Sequence, residues 1–266
     1  MKKYYLDLPA GQIHYIKAGQ GEPLLLLHQA PMSSIEWENI IPVLAQHFTV
    51  YAPDMAGHGQ SYEPSAAMNI PDFAQDTIAF MDAHGIDKAF VAGNHSGAAL
   101  ATCLAVNWPE RVKKLVISCE MLISKTQIDQ FVAAIRAKPL SRDIPFDADG
   151  KFISDAWLRY AALAPTASLD TRYKPFIHGQ LARLRKFDIH EPVLDWMGAE
   201  DWMSQIPCPT LVFGAENDLF FDEDKLEEAK SRIADAQTRV IKDAGALSTF
   251  EQPAAIADML LTFFKQ

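Results

Sequence analysis

The sequence of 266 residues contains few cysteines and no hydrophobic segment near the ~20 residues that a membrane-spanning helix needs. Cys103, Cys119 and Cys208 are odd in number and lack the spacing of metal ligands, so we expect reduced, buried thiols and a cytoplasmic protein. The first residues include two lysines but no apolar run typical of a signal peptide. These absences predict a protein without membrane association.

Positive charge is also scarce, with 24 Lys and Arg against 34 Asp and Glu and a formal net charge of −10. Nucleic-acid phosphates are bound by clustered basic residues, so this balance argues against a nucleic-acid partner. No phosphate-binding loop is present, and no Gly-x-Gly-x-x-Gly follows the first apolar run. We therefore expect no metal, nucleotide or flavin cofactor and a small-molecule substrate, and the sequence leaves a homodimer open.

Short apolar runs alternate with helical patterns along most of the chain. The run Leu24–Leu27 has no polar alternation, which is typical of a strand covered on both faces. Further apolar runs lie at 48–52, 89–92, 115–117, 210–213 and 238–241. Helical patterns lie at 72–84, 98–107, 222–234 and 253–265. With an antiparallel hairpin expected at 3–17, this order predicts an α/β fold with a parallel sheet between helices.

Residues 121–205 interrupt this alternation. They are mostly helical in pattern, and their eleven Lys and Arg balance eleven Asp and Glu, whereas the rest of the chain carries the whole net charge of −10. An insertion at this point would cover the carboxyl ends of the strands, where open α/β sheets bind ligands. We therefore predict a core formed by residues 1–120 and 206–266 with a helical lid at 121–205.

Six short motifs then occur in a characteristic order. They are His28 with Trp37, the turn Asp54–Ser61, the segment Gly93–Gly97, the segment Trp108–Val112, the segment Gly214–Asp218, and Gly245 with Glu251–Pro253. Together they resemble the α/β-hydrolase fold superfamily. The resemblance implies a mostly parallel, eight-stranded sheet flanked by helices, with a helical lid insertion.

The segment Gly93–Gly97 matches the family's nucleophile elbow, Gly-x-Ser-x-Gly, in which the central residue lies on a sharp turn between a strand and a helix. The central residue here is His95 rather than serine. Placing Ser96 at the centre would put Asn94 and Ala98 at the flanks that the tight turn reserves for small residues. The spacing therefore favours His95, an imidazole that can act as a general base or acid, with Ser96 as the alternative nucleophile.

Two other positions of the family's catalytic set can be located. Asp218 matches the catalytic acid, but Ala246 stands where the family has its histidine. Alanine neither accepts nor holds a proton, so a Ser-His-Asp relay cannot operate. Two explanations stay open: a natural loss, with other chemistry or a binding role in its place, or an alanine substituted for an original histidine.

The resemblance also implies an oxyanion hole formed by the backbone N–H groups of Ser96 and Ala30. Gln29 departs from the glycine that the family usually has beside this hole. Glu120, which follows the run at 115–117, is a candidate carboxylate to orient the His95 imidazole. In the lid, Trp157 and Trp202 are candidates for lining a substrate pocket, although packing is the simpler interpretation.

The function predicted from these residues is that of an enzyme without a cofactor acting on a small organic molecule. We expect hydrolysis of an ester, a lactone or an activated C–C bond by acid–base chemistry with an oxyanion hole. Two alternatives stay open. One is a lyase, decarboxylase or isomerase on the same fold, and the other is an inactive member that binds a ligand or a partner protein.

Overall fold

The computed structural model describes residues 1–119, 126, 129–130, 132–133, 145–187, 189–199, 201–218 and 223–266. The strands are β1 Lys2–Leu8, β2 Gly11–Ala18, β3 Glu22–Leu27, β4 Phe48–Pro53, β5 Ala89–Asn94, β6 Val112–Ser118, β7 Thr210–Ala215 and β8 Ala236–Ile241. They form one eight-stranded sheet in the order β1-β2-β4-β3-β5-β6-β7-β8. The pairs β1/β2 and β2/β4 are antiparallel and the others are parallel. The predicted mostly parallel sheet is confirmed.

Helices cover both faces of this sheet. They are α1 Ile41–Leu44, α2 Ile70–Ala83, α3 Ser96–Asn107, α4 Lys151–Leu163, α5 Leu169–Ala182, α6 His190–Ala199, α7 Glu223–Arg232, α8 Ser248–Glu251 and α9 Pro253–Lys265. Leu25 and Leu27 of β3 join one apolar cluster, and Leu24 and Leu26 join the other. All four leucines are fully buried, as the unbroken apolar run predicts. Within the described part of the chain, no helix has the length and apolarity to cross a bilayer.

Helices α4, α5 and α6 lie between β6 and β7, in the segment predicted to be helical. A third apolar cluster joins this segment to the predicted core of residues 1–120 and 206–266. Its members include Tyr160 of α4, Phe176 of α5, Met32, Leu247 and Phe250. The described residues of 121–205 contain no strand, in agreement with the sequence pattern. The role of this segment as a lid, and its limits, stay predictions.

Backbone packs directly on backbone where β5 turns into α3. A Cβ atom on Gly93 would lie 2.0 Å from the carbonyl oxygen of Gly97, and one on Gly97 would lie 2.2 Å from that of Leu27. Neither carbonyl belongs to a flexible side chain, so no small movement could make room. The two glycines of the motif are therefore required by contact between β5, α3 and the end of β3.

We predict that Gly97→Ala lowers the free energy of unfolding by about 3 kcal/mol, because overpacking against fixed backbone strains the structure. Gly85→Ala is the control: its Cβ would meet nothing within 4 Å, and only the positive φ of 62° opposes alanine. That conformation costs alanine about 1 kcal/mol. Equal losses for the two variants in denaturant unfolding would contradict the packing argument.

Candidate active site

His95 occupies the strained position of the turn. It lies between the last residue of β5 and the first of α3, with φ 47° and ψ −115°. Its N–H donates to the carbonyl of Ser118 over 2.9 Å, and its carbonyl accepts from the N–H of Ala98 over 2.8 Å. A positive φ in a residue other than glycine is unfavourable and persists only where the surroundings enforce it. The predicted register, with His95 rather than Ser96 at the centre, agrees with this geometry.

The imidazole of His95 pairs with the carboxylate of Asp218. Nε2 of His95 lies 3.3 Å from Oδ2 of Asp218, and the Asp218 side chain is only 1% exposed. Burial alone would lower the pKa of His95, but the nearby charges of Asp218 and Glu36 outweigh burial, so the pKa is raised above its ordinary value of 6.5. The carboxylate of Asp218 therefore lies in direct contact with the imidazole. Glu120, the carboxylate suggested for this task, lies outside the described residues.

Ala246 lies beside this pair. Its backbone forms a hydrogen bond with His95 that also raises the pKa of the imidazole. Its own N–H donates to the carbonyl of Leu163, at the end of α4, over 2.9 Å. The structure thus brings together the three positions of the family's catalytic set. Asp218 has a partner without any histidine at position 246, so its presence does not require that Ala246 replaced one.

The predicted oxyanion hole needs correction. The N–H of Ala30 donates to the hydroxyl oxygen of Ser96 over 2.6 Å. The side chain of Ser96, the first residue of α3, therefore points toward the loop after β3. It accepts the hydrogen bond of the Ala30 N–H, the group that we expected to donate to the substrate. Ser96 is buried at the turn beside His95. A side-chain hydroxyl therefore lies where a purely backbone hole was expected.

The backbone N–H of Gln29 does not face the site either, because it donates to Oε2 of Glu36 over 2.6 Å. Glu36 also accepts from the Asn94 side chain over 2.6 Å and from the Thr249 hydroxyl over 3.0 Å. Complete burial raises the pKa of Glu36 to about 7, although the three hydrogen bonds oppose that rise. Glu36 was not among the residues predicted from the sequence. The one feature that could have indicated it is an acidic residue between the apolar Ile35 and Trp37.

Cys119 follows β6 and was expected only to be a buried thiol. It is buried, and it too has a positive φ, of 50°. Its Sγ lies 3.7 Å from the hydroxyl oxygen of Ser248, and burial raises its pKa to about 12. Ligand atoms of His95, Cys119 and Asp218 all lie within 4.8 Å of one another. Cys119 directly follows the apolar run of β6, and this position at the carboxyl end of a strand could have indicated a residue of the site.

The two tryptophans suggested for a substrate pocket lie in packed clusters. Trp157 meets the ring of Phe176 edge-on at 5.2 Å, inside the layer of α4 and α5. Trp202 is buried and stacks on Trp196 at 6.0 Å, in the cluster built on α3. Both contacts fit the packing interpretation that the sequence had also allowed.

A strained turn between a strand and a helix, at the carboxyl end of a mostly parallel sheet, is the position of the nucleophile elbow in the α/β-hydrolase fold. Residues 22–253 match the model of a family described as alpha/beta hydrolase fold. The match spans most of the chain, and the chain belongs to the α/β-hydrolase fold family. The predicted superfamily is confirmed.

Individual relatives support the same assignment. A 2-hydroxymuconate semialdehyde hydrolase of Pseudomonas sp. (strain CF600) is 27% identical over 94% of this chain and 89% of its own length. A soluble epoxide hydrolase of Corynebacterium sp. (strain C12) is 40% identical, but over 40% of this chain and 37% of its own. The naproxen esterase of Bacillus subtilis has the same fold, with a TM-score of 0.77 and 22% identity over 99% of this chain and 91% of its own. The prediction of an enzyme that hydrolyses a small molecule is confirmed at this coarse level.

We predict that Asp218→Asn lowers the pKa of His95, because the carboxylate that overcomes the effect of burial is lost. The ring proton signals of His95 in a nuclear magnetic resonance titration measure this pKa. The control is Asp258→Asn, which neutralises an exposed carboxylate on α9 and should leave the titration unchanged.

The same pair has a predicted effect on stability. The folded protein holds the His95 proton above the ordinary pKa of 6.5, so the stabilisation is complete below that pH and is lost as the pH rises through the raised pKa. The free energy of unfolding of Asp218→Asn should therefore fall further below that of the unchanged protein at about pH 6 than at about pH 9. A deficit that increases toward pH 9 would contradict this assignment.

Proposed function

We propose that the protein hydrolyses a small carbonyl compound (an ester, a lactone or an activated C–C bond) with His95 as the general base. The observation that carries this proposal is the 3.3 Å pair between Nε2 of His95 and Oδ2 of Asp218 at the strained turn. A buried carboxylate holds an imidazole in one orientation and stabilises its protonated form. The family's serine nucleophile is then unnecessary, because water takes its place.

The proposed reaction balances with these groups alone. Nδ1 of the imidazole, the nitrogen not paired with Asp218, takes a proton from water as the water oxygen bonds to the carbonyl carbon, and the carbonyl oxygen becomes an oxyanion. When the tetrahedral intermediate collapses, the bond to the leaving group breaks and the imidazolium returns the proton to that group. Asp218 stays ionised throughout and stabilises the charged imidazolium between the two steps.

Ser96 supplies the proposed oxyanion contact. Its hydroxyl oxygen accepts the N–H of Ala30 over 2.6 Å, which leaves the hydroxyl proton to donate to the developing charge. The backbone N–H of Ser96 lies in the first turn of α3, where helix geometry provides no intrahelical acceptor. Two donors from one residue would then face the oxyanion, and Ala30 would polarise the hydroxyl.

The relatives favour a carbonyl substrate. One relative matched over 89% of its own length is named for a semialdehyde, which is a carbonyl compound, whereas the epoxide hydrolase matches over 37% of its length. Helices α4 and α5 pack on Met32 and Leu247 close to Ala246, which supports their role as the lid of this site. We propose that they exclude bulk water and leave the reacting water beside His95.

We predict that His95→Gln lowers kcat/KM for p-nitrophenyl acetate by about 10²- to 10⁴-fold, the usual contribution of a general base. The matched control is His47→Gln, which replaces an exposed histidine before β4 and should retain the original rate. Because the base must be unprotonated, the rate of the unchanged protein should rise with pH through a pKa above 6.5. Circular dichroism confirms that the variants are folded.

A fluorophosphonate probe distinguishes this mechanism from serine catalysis. We expect no rapid labelling, because no histidine stands at position 246 to activate a serine. Labelling at Ser96 would contradict the proposal and would make Ser96 the nucleophile. An unchanged rate in His95→Gln would also contradict it.

A further inference from the structure

We propose that His95, Cys119 and Asp218 form a binding site for one thiophilic divalent cation of the Zn²⁺ type. The imidazole nitrogen, the thiol sulfur and the carboxylate oxygen lie within 4.8 Å of one another. The proposal goes beyond the hydrolytic reaction and does not rest on it, because binding is measured without a substrate.

The donor set suits this kind of metal. Nitrogen, sulfur and carboxylate oxygen are the three donor types of protein zinc sites, and a thiolate disfavours Mg²⁺ and Ca²⁺. Two ligands of a tetrahedral zinc ion, each about 2.0 Å from the metal, lie about 3.3 Å apart. The distance between Nε2 of His95 and Oδ2 of Asp218 is 3.3 Å, so these two atoms already have that separation.

The backbone brings the three donors together from separate strands. His95, Cys119 and Asp218 follow β5, β6 and β7, which are neighbours in the sheet. His95 and Cys119 both have a positive φ, of 47° and 50°. Strained backbone of this kind concentrates at functional sites and is retained when the fold fixes it. The two residues with strained backbone, His95 and Cys119, are therefore also the two whose side chains approach the carboxylate of Asp218.

The site is largely buried, and three protein ligands would leave the ion a place for another ligand. The His95 side chain is 14% exposed, whereas that of Asp218 is 1% exposed. Three protein ligands leave the fourth position of a tetrahedral ion for water, as in catalytic zinc sites. Ser248 lies 3.7 Å from the Cys119 sulfur and can hydrogen-bond the thiolate once metal displaces its proton. A metal on Nε2 of His95 would replace the contact of that nitrogen with Asp218, so the metal-bound protein would lose the carboxylate pair on which the proposed base depends.

The test is a titration of chelator-treated protein with Co²⁺, followed by absorbance. We expect one equivalent to bind with a near-ultraviolet thiolate-to-cobalt band and visible bands of tetrahedral intensity, and we expect Zn²⁺ to abolish them. Cys119→Ala should lose the thiolate band, and Asp218→Asn should weaken binding by about tenfold or more while keeping the band. The matched control is Cys208→Ala, which removes another buried thiol and should bind as the unchanged protein does.

Absence of the thiolate band in the unchanged protein overturns the inference, and so does a band that survives in Cys119→Ala or disappears in Cys208→Ala. Thermal unfolding of each variant separates loss of ligands from loss of folding. If chelator-treated protein hydrolyses p-nitrophenyl acetate but binds no cobalt, the metal site fails and the proposed function stands. If cobalt binds as expected but His95→Gln hydrolyses at the original rate, the proposed function fails and the metal site stands.

Discussion

The close contact of three backbone segments around Gly93 and Gly97 is the constraint on which the site depends. Because Gly97 leaves no room for a side chain against the carbonyl of Leu27, α3 starts directly against the end of β3. The chain can then pass from β5 into α3 only through a sharp turn, and His95 takes the positive φ that this turn requires. This backbone geometry places the imidazole near Asp218, and the attraction between the two groups adds to it.

Behind the turn, a buried polar network joins several loops. The carboxyl of Glu36 accepts hydrogen bonds from the backbone of Gln29, from Asn94 and from Thr249. Asn94 in turn accepts from the Ser118 hydroxyl over 2.6 Å, which extends the network to the end of β6. Buried polar networks with satisfied partners rigidify their surroundings. This one joins the loop after β3 to the ends of β5 and β6 and to α8.

The sequence predicted the parts of the site that follow from local rules. The two glycines placed His95 at the turn, and the order of motifs placed Asp218 at the end of a strand. The sequence could not predict contacts that depend on how neighbouring strands and rotamers meet. Cys119 shares no spacing pattern with the other two residues and approaches them only because β5, β6 and β7 are adjacent. The bond from Ala30 to the Ser96 hydroxyl depends on a single side-chain torsion, which no pattern encodes.

The loop before α8 is attached to α4 through its main chain, because the N–H of Ala246 donates to the carbonyl of Leu163. This attachment is independent of the side chain that the loop presents at position 246. A Cβ on Gly245 would lie 2.5 Å from that carbonyl, so the helix is held by the main chain of this loop and by the smallness of residue 245. The hydrogen bond comes from the main chain of residue 246 and does not depend on its side chain. The side chain at position 246 can therefore change while α4 stays anchored, which makes this loop a natural point of divergence between reactions on a shared scaffold.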